Sequence, residues 1–490
     1  MLRLAAPLAM AELGWMSMGF VDALMAGRLG AAAIGAGSLG NMLFFPIAIC
    51  GTGMLLGMDT VVAQAFGARD EAACRHTLAQ GLWIAVGVAP VAVLLLALTI
   101  PLLRAVGTNP RVMELLGPYL NSLLWGVLPL LLFTAFRRYL QAMNIVKPIT
   151  FAVVSANLLN FAGNWVFMYG NWGAPRLGLE GSGFSTSISR VYIALVLLVA
   201  VLRHQRKSGN PHLPATAPSG DEKECSSPAE PPAPPTASRL PAKVGQAPAG
   251  QRPLAGASFP SFPADDTPFN YRPRWALIRR LIALGFPSAM QILVEGAVFG
   301  VVTVMAARFD EVSLAAHSIA VNVISITFMV PLGISSAAAV RVGQAVGRKS
   351  SRGIAVSGWT ALLLGAGFMS AAGLALAIVP RWIARLYTPE AAVIGASAAL
   401  LRIAALFEIF DGLQVVATGA LRGLGDTRTP ALAHLAGYWL IGMPIAYVLC
   451  FSYGWGVRGI WVGLTSALIL IGLILLAAWH REITSGSRRD

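Results

Sequence analysis

Asp22, Glu295 and Asp411 each lie inside a long apolar stretch of the chain. A charge at the centre of a membrane helix costs roughly 2.5–3.5 kcal/mol on insertion scales, so such residues usually face a protein interior and mark an ion or substrate pathway. Glu295 stands near the middle of LIALGFPSAMQILVEGAVFGVVTVMA, residues 281–306, a run that also holds Gln291 and Thr303. Asp411 lies in FEIFDGLQVVATGALRG, three residues after Glu408 and three before Gln414, so all three share one helical face. Asp22 falls late in the first apolar run. A second polar pattern is Asn157, Asn160 and Asn164, whose i, i+3, i+7 spacing draws one stripe along an otherwise apolar helix. Asn side chains can glue membrane helices together. Equally, their carbonyl oxygens beside the Asp22 carboxylate suit a hard cation.

These residues need membrane helices to hold them, and the composition supplies them. The chain has 490 residues, of which 56% are hydrophobic and only 12% charged. Its mean hydropathy is +0.68. A soluble protein carries about 25% charged residues. Apolar runs of spanning length fall at 5–26, 36–62, 77–103, 118–137, 148–170 and 180–202, and again at 281–306, 314–339, 354–379, 393–420, 430–452 and 458–479. Each satisfies the roughly 20 residues that a bilayer crossing requires. The expected fold is therefore all-α and polytopic, with twelve transmembrane helices in two six-helix bundles, 1–203 and 275–482. Between them 204–274 is rich in Pro, Ala, Ser and Gly and reads as a disordered linker, and 483–490 is a short tail.

The net charge of +14 could suggest nucleic acid, but its distribution argues otherwise. Arg69, Arg75, Arg137, Arg138, Lys147, the Arg203–Lys207 cluster, Arg341, Arg348, Lys349, Arg422 and Arg428 all fall in loops on one side. The positive-inside rule makes that side cytoplasmic, with both termini and the linker there. The four cysteines are scattered without metal or disulfide spacing.

The two bundles are copies. At a constant offset of 280 residues Pro7 answers Pro287, Ala9 answers Ala289, Arg28 answers Arg308, Gly53 answers Gly333, Gln64 answers Gln344 and Gly67 answers Gly347. With six crossings each, the copies enter the membrane in the same orientation, and a substrate site is expected between them. Shared scaffold cannot explain residues present in one copy only. Glu295 answers Trp15, Asp22 answers Val302, and Asp411 answers an apolar residue near Leu130. That asymmetry singles out these three acids as chemistry. His317 and His434 lack a second ligand at metal spacing and read as satisfied core histidines. Asp59, Gln64 and Gln344 read as loop anchors, and LRGLGDTRTP at 421–430 as a turn carrying topology charges.

Assembled, the chain resembles the multidrug and toxic compound extrusion (MATE) family, in its NorM-like branch. The likeness rests on PLAMAELGWMSMGFVDALMAGRLG, VVAQAFGA, NLLNFAGNWVFMYG and GLEGSGFSTSIS in the first half. In the second half it rests on GFPSAMQILVEGAVF, AAHSIAVNVISITFMVPLGISSAAAVRVGQAVG and FDGLQVVATGALRGLGDTRTP. The resemblance implies an outward-opening, V-shaped pair of bundles that exports amphipathic organic cations in exchange for Na⁺ or H⁺, with no cofactor and no enzymatic activity. It places the first-helix acid on Asp22, the seventh-helix glutamate on Glu295, the tenth-helix aspartate on Asp411 and the fifth-helix polar pair on Asn160 and Asn164. A coupling-ion site is then expected at Asp22 with Asn157, Asn160 and Asn164, of which Asp22, Asn160 and Asn164 would hold Na⁺. Substrate would meet Glu295, Asp411 and Gln414. The expected setting is the bacterial inner membrane, and the expected functional unit a monomer whose partners are lipid and small cations rather than nucleic acid. A flippase for lipid-linked precursors is the alternative; it would want a basic cavity for phosphate, whereas the mid-helix charges here are acidic.

Overall fold

The computed structural model describes residues 1–105, 110–208 and 272–487. Its first half runs α1 (Leu2–Gly27), α2 (Ala31–Met54), α3 (Gly57–Gly67), α4 (Glu71–Ala105), α5 (Pro110–Leu124), α6 (Val127–Ala142), α7 (Lys147–Phe167) and α8 (Leu179–Ser208). The second half runs α9 (Trp275–Ala306), α10 (Glu311–Gly347), α11 (Ser351–Ile378), α12 (Pro380–Arg385), α13 (Ala391–Leu424), α14 (Arg428–His434), α15 (Met443–Tyr447) and α16 (Val457–Ser487). No strand occurs among the described residues. Most of the expected linker, 209–271, lies outside the described residues, but 204–208 continue α8 as helix.

Among the described residues eleven spans are long and apolar enough to cross a membrane, and a bent pair makes the twelfth. That pair is α5 and α6, read from sequence as one run and folded as two helices meeting at 45°. The bend falls at Gly126, where an added Cβ would come within 2.5 Å of the Ser187 hydroxyl on α8. Close approach of α8 is thus possible only because the position carries no side chain. The span that begins with α14 is also irregular, with π-helical turns at Leu435–Gly442 and Val448–Ser452.

The duplication is visible in packing. A Cβ on Gly53 would meet Ala289 at 2.5 Å, and one on Gly333 would meet the backbone of Ala9 at 2.5 Å. A Cβ on Gly67 would lie 2.1 Å from the Gln344 carbonyl oxygen, and one on Gly347 2.0 Å from that of Gln64. Each is the other's mate at the 280-residue offset, so a pseudo-twofold axis passes between α1–α3 and α9–α10. The opening residues of each half pack into the other: Leu4, Ala5 and Leu8 join the core of the second half, and Leu277, Ile278 and Leu281 that of the first.

The turns repeat as well. After α3 the chain passes through Arg69 at φ 61°, and after α10 through Lys349 at φ 54°. The next residue caps the following helix in both copies: Asp70 Oδ1 accepts from the Ala73 amide at 2.7 Å, and Ser350 Oγ from the Gly353 amide at 3.1 Å. Asp310 caps α10 by accepting from the Ser313 amide, and that bond first, with the Ser313 hydroxyl second, holds its carboxyl below the usual carboxylate range.

Hydrogen bonds joining the halves cluster at the end of the molecule that carries the Arg69 and Lys349 turns. Thr60 Oγ1 donates to the Arg422 carbonyl at 2.6 Å and Gln64 Nε2 to that of Gly423 at 3.1 Å, while Gln344 Nε2 donates to that of Ala142 at 2.8 Å. Asp59 is fully buried between Arg138 at 3.1 Å and Arg422 at 3.7 Å. The expected loop anchors therefore tie one half to the other. Arg137, Arg138 and Arg422, expected as topology charges in loops, lie instead within α6 and α13 as partners of Glu12 and Asp59.

Candidate ion and substrate sites

In the first half, α1, α7 and α8 bring four side chains into a closed ring. Asn164 Nδ2 donates to Asp22 Oδ1 at 2.6 Å and to Asn160 Oδ1 at 3.3 Å; Asn160 Nδ2 reaches Thr186 Oγ1 at 3.4 Å; and Thr186 Oγ1 donates to Asp22 Oδ2 at 3.0 Å. Asn160 and Asn164 sit one turn apart on α7 and are fully buried. Asn164 Oδ1 is a buried acceptor with no hydrogen-bond partner. With a carboxylate, two amide oxygens and a hydroxyl together, the donor set fits a hard monovalent cation.

Asn157 is not part of this ring, contrary to the expectation. Its amide donates to the Gly14 carbonyl at 2.8 Å and to that of Val153 at 2.9 Å, fastening α7 to α1. The stripe is real, but seven residues span about 10 Å along a helix, which leaves Asn157 two turns from Asn164 and out of reach of Asp22.

Asp22 also opens onto a cavity of about 580 Å³ whose lining comes entirely from the first half. Trp15 and Phe133 stack on its wall with centroids 5.7 Å apart. Glu12 pairs with Arg137 there, and the Arg190 guanidinium lies 4.4 Å from the centre of the Phe44 ring. Sequence reading missed Glu12, Thr186 and Arg190. The offset rule could have found Glu12, which stands opposite Ile292. Thr186 carries no such signal, because hydroxyls are common in membrane helices and only the fold brings this one to Asp22.

In the second half, α13 carries Glu408, Asp411 and Gln414 on one buried face. Gln414 Nε2 lies 3.0 Å from Asp411 Oδ1. Thr327 Oγ1 donates to Glu408 Oε1 at 3.3 Å, leaving Glu408 Oε2 buried without a partner. Glu295 on α9 is half-buried, within electrostatic reach of Asp411 and of the Tyr438 hydroxyl. The two histidines differ. His317 is satisfied between Thr303 Oγ1 at 3.1 Å and Trp461 Nε1 at 3.2 Å, as expected of a core histidine. His434 is also buried, but its Nε2 lies 2.6 Å from Gln414 Oε1, which connects it to Asp411.

The apolar helices make this a multi-pass membrane protein, with carboxylates set within them. The chain belongs to the MatE family, whose model matches residues 7–166 and again 287–448. The two matches begin 280 residues apart, at the two prolines of the repeat. The chain is 32% identical to the probable multidrug resistance protein NorM of Mesorhizobium japonicum, covering 98% of this chain and 93% of that one. It is 35% identical to the probable NorM of Rhodopseudomonas palustris, over 98% of this chain and 91% of that one. Among solved structures it is similar to a MATE protein in its straight conformation, at a TM-score of 0.81 and 16% identity, covering 99% and 96% of the two chains.

Proposed function

We propose that the protein is a secondary active antiporter that exports amphipathic organic cations in exchange for Na⁺ or H⁺ by alternating access. The observation that carries this reading is the placing of carboxylates in both halves, Asp22 in one and Glu295 with Asp411 in the other, inside membrane helices and among polar partners. A carboxylate so placed binds a cation of either kind, and a drug cation and a coupling ion compete for it. Inward movement of one monovalent cation releases about 2.3 kcal/mol per 100 mV, the amount that export of a monovalent drug cation consumes, so a one-for-one exchange is driven by the concentration gradient of the coupling ion. Alternation requires that drug and coupling ion favour different conformers, since a ligand with equal affinity for both shifts nothing.

In this reading Asp22, Asn160, Asn164 and Thr186 hold a coupling ion in the first half, and Glu295, Asp411 and Gln414 meet the substrate, which competes there with a coupling ion for the carboxylates. The names of the relatives, multidrug resistance proteins, support the substrate class. The membrane is the bacterial inner membrane with both chain ends cytoplasmic, on the strength of the loop charges. The flippase alternative gains one supporting observation, since Arg137, Arg138 and Arg190 line the first-half cavity. Two of these are already matched by Glu12 and Asp59, which weighs against a phosphate pocket.

The test is efflux of ethidium from reconstituted vesicles under an imposed Na⁺ gradient or an imposed pH gradient, separately. Export driven by one gradient and stopping when that gradient collapses supports the antiporter. Ethidium that merely equilibrates, indifferent to either gradient, contradicts it.

A further inference from the structure

The contacts around His434 form a chain with an acceptor at each end. His434 Nδ1 lies 2.7 Å from the Pro430 carbonyl, His434 Nε2 lies 2.6 Å from the Gln414 side chain, and the other end of the Gln414 amide lies 3.0 Å from Asp411 Oδ1. Asp411, Gln414, Pro430 and His434 are all buried, which leaves little room for water to substitute.

Three contacts of this length need three hydrogens. A neutral imidazole supplies one, and the Gln414 amide supplies one toward whichever side its nitrogen faces. With Asp411 ionised and His434 neutral, the chain is one hydrogen short, and two acceptors face each other at some point along it. One added proton completes it in either of two ways. Either His434 becomes imidazolium and Gln414 donates to Asp411, or Asp411 is protonated, the amide is reversed and Gln414 donates to His434. The two arrangements differ only in the orientation of one amide and the site of one proton.

We infer that Asp411, Gln414 and His434 form a single-proton relay, in which His434 is a positioning residue that sets how readily Asp411 takes the coupling proton. This deepens the antiport reading and rests on it. The chain begins at the carboxyl in the middle of α13 and ends at Pro430, close to the Asp59–Arg422 end where the halves are tied together. Few other ionisable groups face His434. On α9 the neighbour is Gln291, whose Nε2 is 3.4 Å from His434 Nε2, with Glu295 one turn further on. Tyr438 lies one turn along the same span, with ring centroids 6.0 Å apart. The stretch of α16 from Gly459 to Trp479 carries no ionisable side chain. Asp411 on α13 is thus the carboxyl to which His434 is joined by hydrogen bonds through Gln414, while Glu408 on the same helix and Glu295 on α9 act on Asp411 electrostatically.

The test uses the full chain in lipid nanodiscs, with ethidium affinity and proton release on ethidium binding measured between pH 5 and 9. The wild type should lose affinity at least tenfold toward acid and release about one proton per ethidium bound at the midpoint. His434→Asn keeps a donor for the Pro430 carbonyl and is too short to reach Gln414. It removes the proton deficit and should move the midpoint acidward by at least one pH unit. Gln414→Leu takes the donor away from ionised Asp411 and should move it alkaline-ward. Opposite shifts from two neighbouring variants would not arise from loosened packing. His434→Leu, expected to behave as His434→Asn, guards against one variant failing to fold. A wild-type midpoint left unmoved by folded His434→Asn and His434→Leu, while Asp411→Asn abolishes it, overturns the relay alone. A wild-type affinity that does not change with pH overturns proton coupling and the relay with it.

Discussion

Asp22 illustrates how much one membrane carboxylate depends on its neighbours. Its two oxygens are taken by Asn164 and Thr186, and the ring closes through Asn160. Removing one amide from such a ring leaves a buried acceptor unsatisfied, at about 1–3 kcal/mol. Asn164→Ala is therefore expected to reduce gradient-driven ethidium efflux at least tenfold with expression maintained. Asn157→Ala, which loses the hydrogen bonds to the Gly14 and Val153 carbonyls, should stay within twofold. Initial efflux rates from vesicles with matched protein content decide between them, and equal losses in both would dissolve the distinction between ring and stripe. The three acids were legible in the sequence because each stands in one copy of the repeat and not the other. Thr186 was not, since its role comes from α8 crossing α1 at the height of Asp22.

The elements owe their closeness to glycine. Gly67 on α3 abuts the Gln344 carbonyl, so Gly67→Ala must push backbone apart rather than displace a flexible side chain. Overpacking of this kind costs typically about 1–3 kcal/mol. Gly19 on α1 has nothing within 4 Å of an added Cβ, and there alanine should be neutral or slightly stabilising through its helix propensity. Thermal unfolding in detergent should show Gly67→Ala several degrees below the parent and Gly19→Ala at or above it; the reverse order would refute the packing argument. The repeat and its spans were readable from period and offset, because a duplicated scaffold must keep its contact glycines in both copies. The bend between α5 and α6 was not. It arises where Gly126 meets Ser187, a contact between distant segments that leaves the apolar run itself unbroken.

At the scale of the molecule, the two halves are fastened at one end by Asp59, Arg138 and Arg422, together with the carbonyl contacts of Gln64 and Gln344. Removing one partner of a buried ion pair is costly, about 3–5 kcal/mol, because the remaining charge is stranded. Asp59→Asn should therefore open that end, shifting the balance of conformers by at least tenfold, since 1.4 kcal/mol is a factor of ten. Spin labels on cysteines introduced at the exposed positions Ala68 and Arg348, in a chain freed of its own cysteines, report the separation. The variant should populate longer distances that the parent lacks, and an unchanged distribution would remove the network from gating. Sequence alone placed Asp59 and Arg422 near the right surface yet gave no hint that they meet, being 363 residues apart.

All of these elements matter to transport only if the sheltered carboxylates bind the exchanged cations. The most direct measurement is ethidium export from vesicles carrying Glu295→Gln or Asp411→Asn, under whichever gradient drives the parent protein. Each variant should reach normal levels in the membrane and lose ion-driven export. Export at the parent's rate in either one would take that residue out of the mechanism, and export at the parent's rate in both would contradict the account.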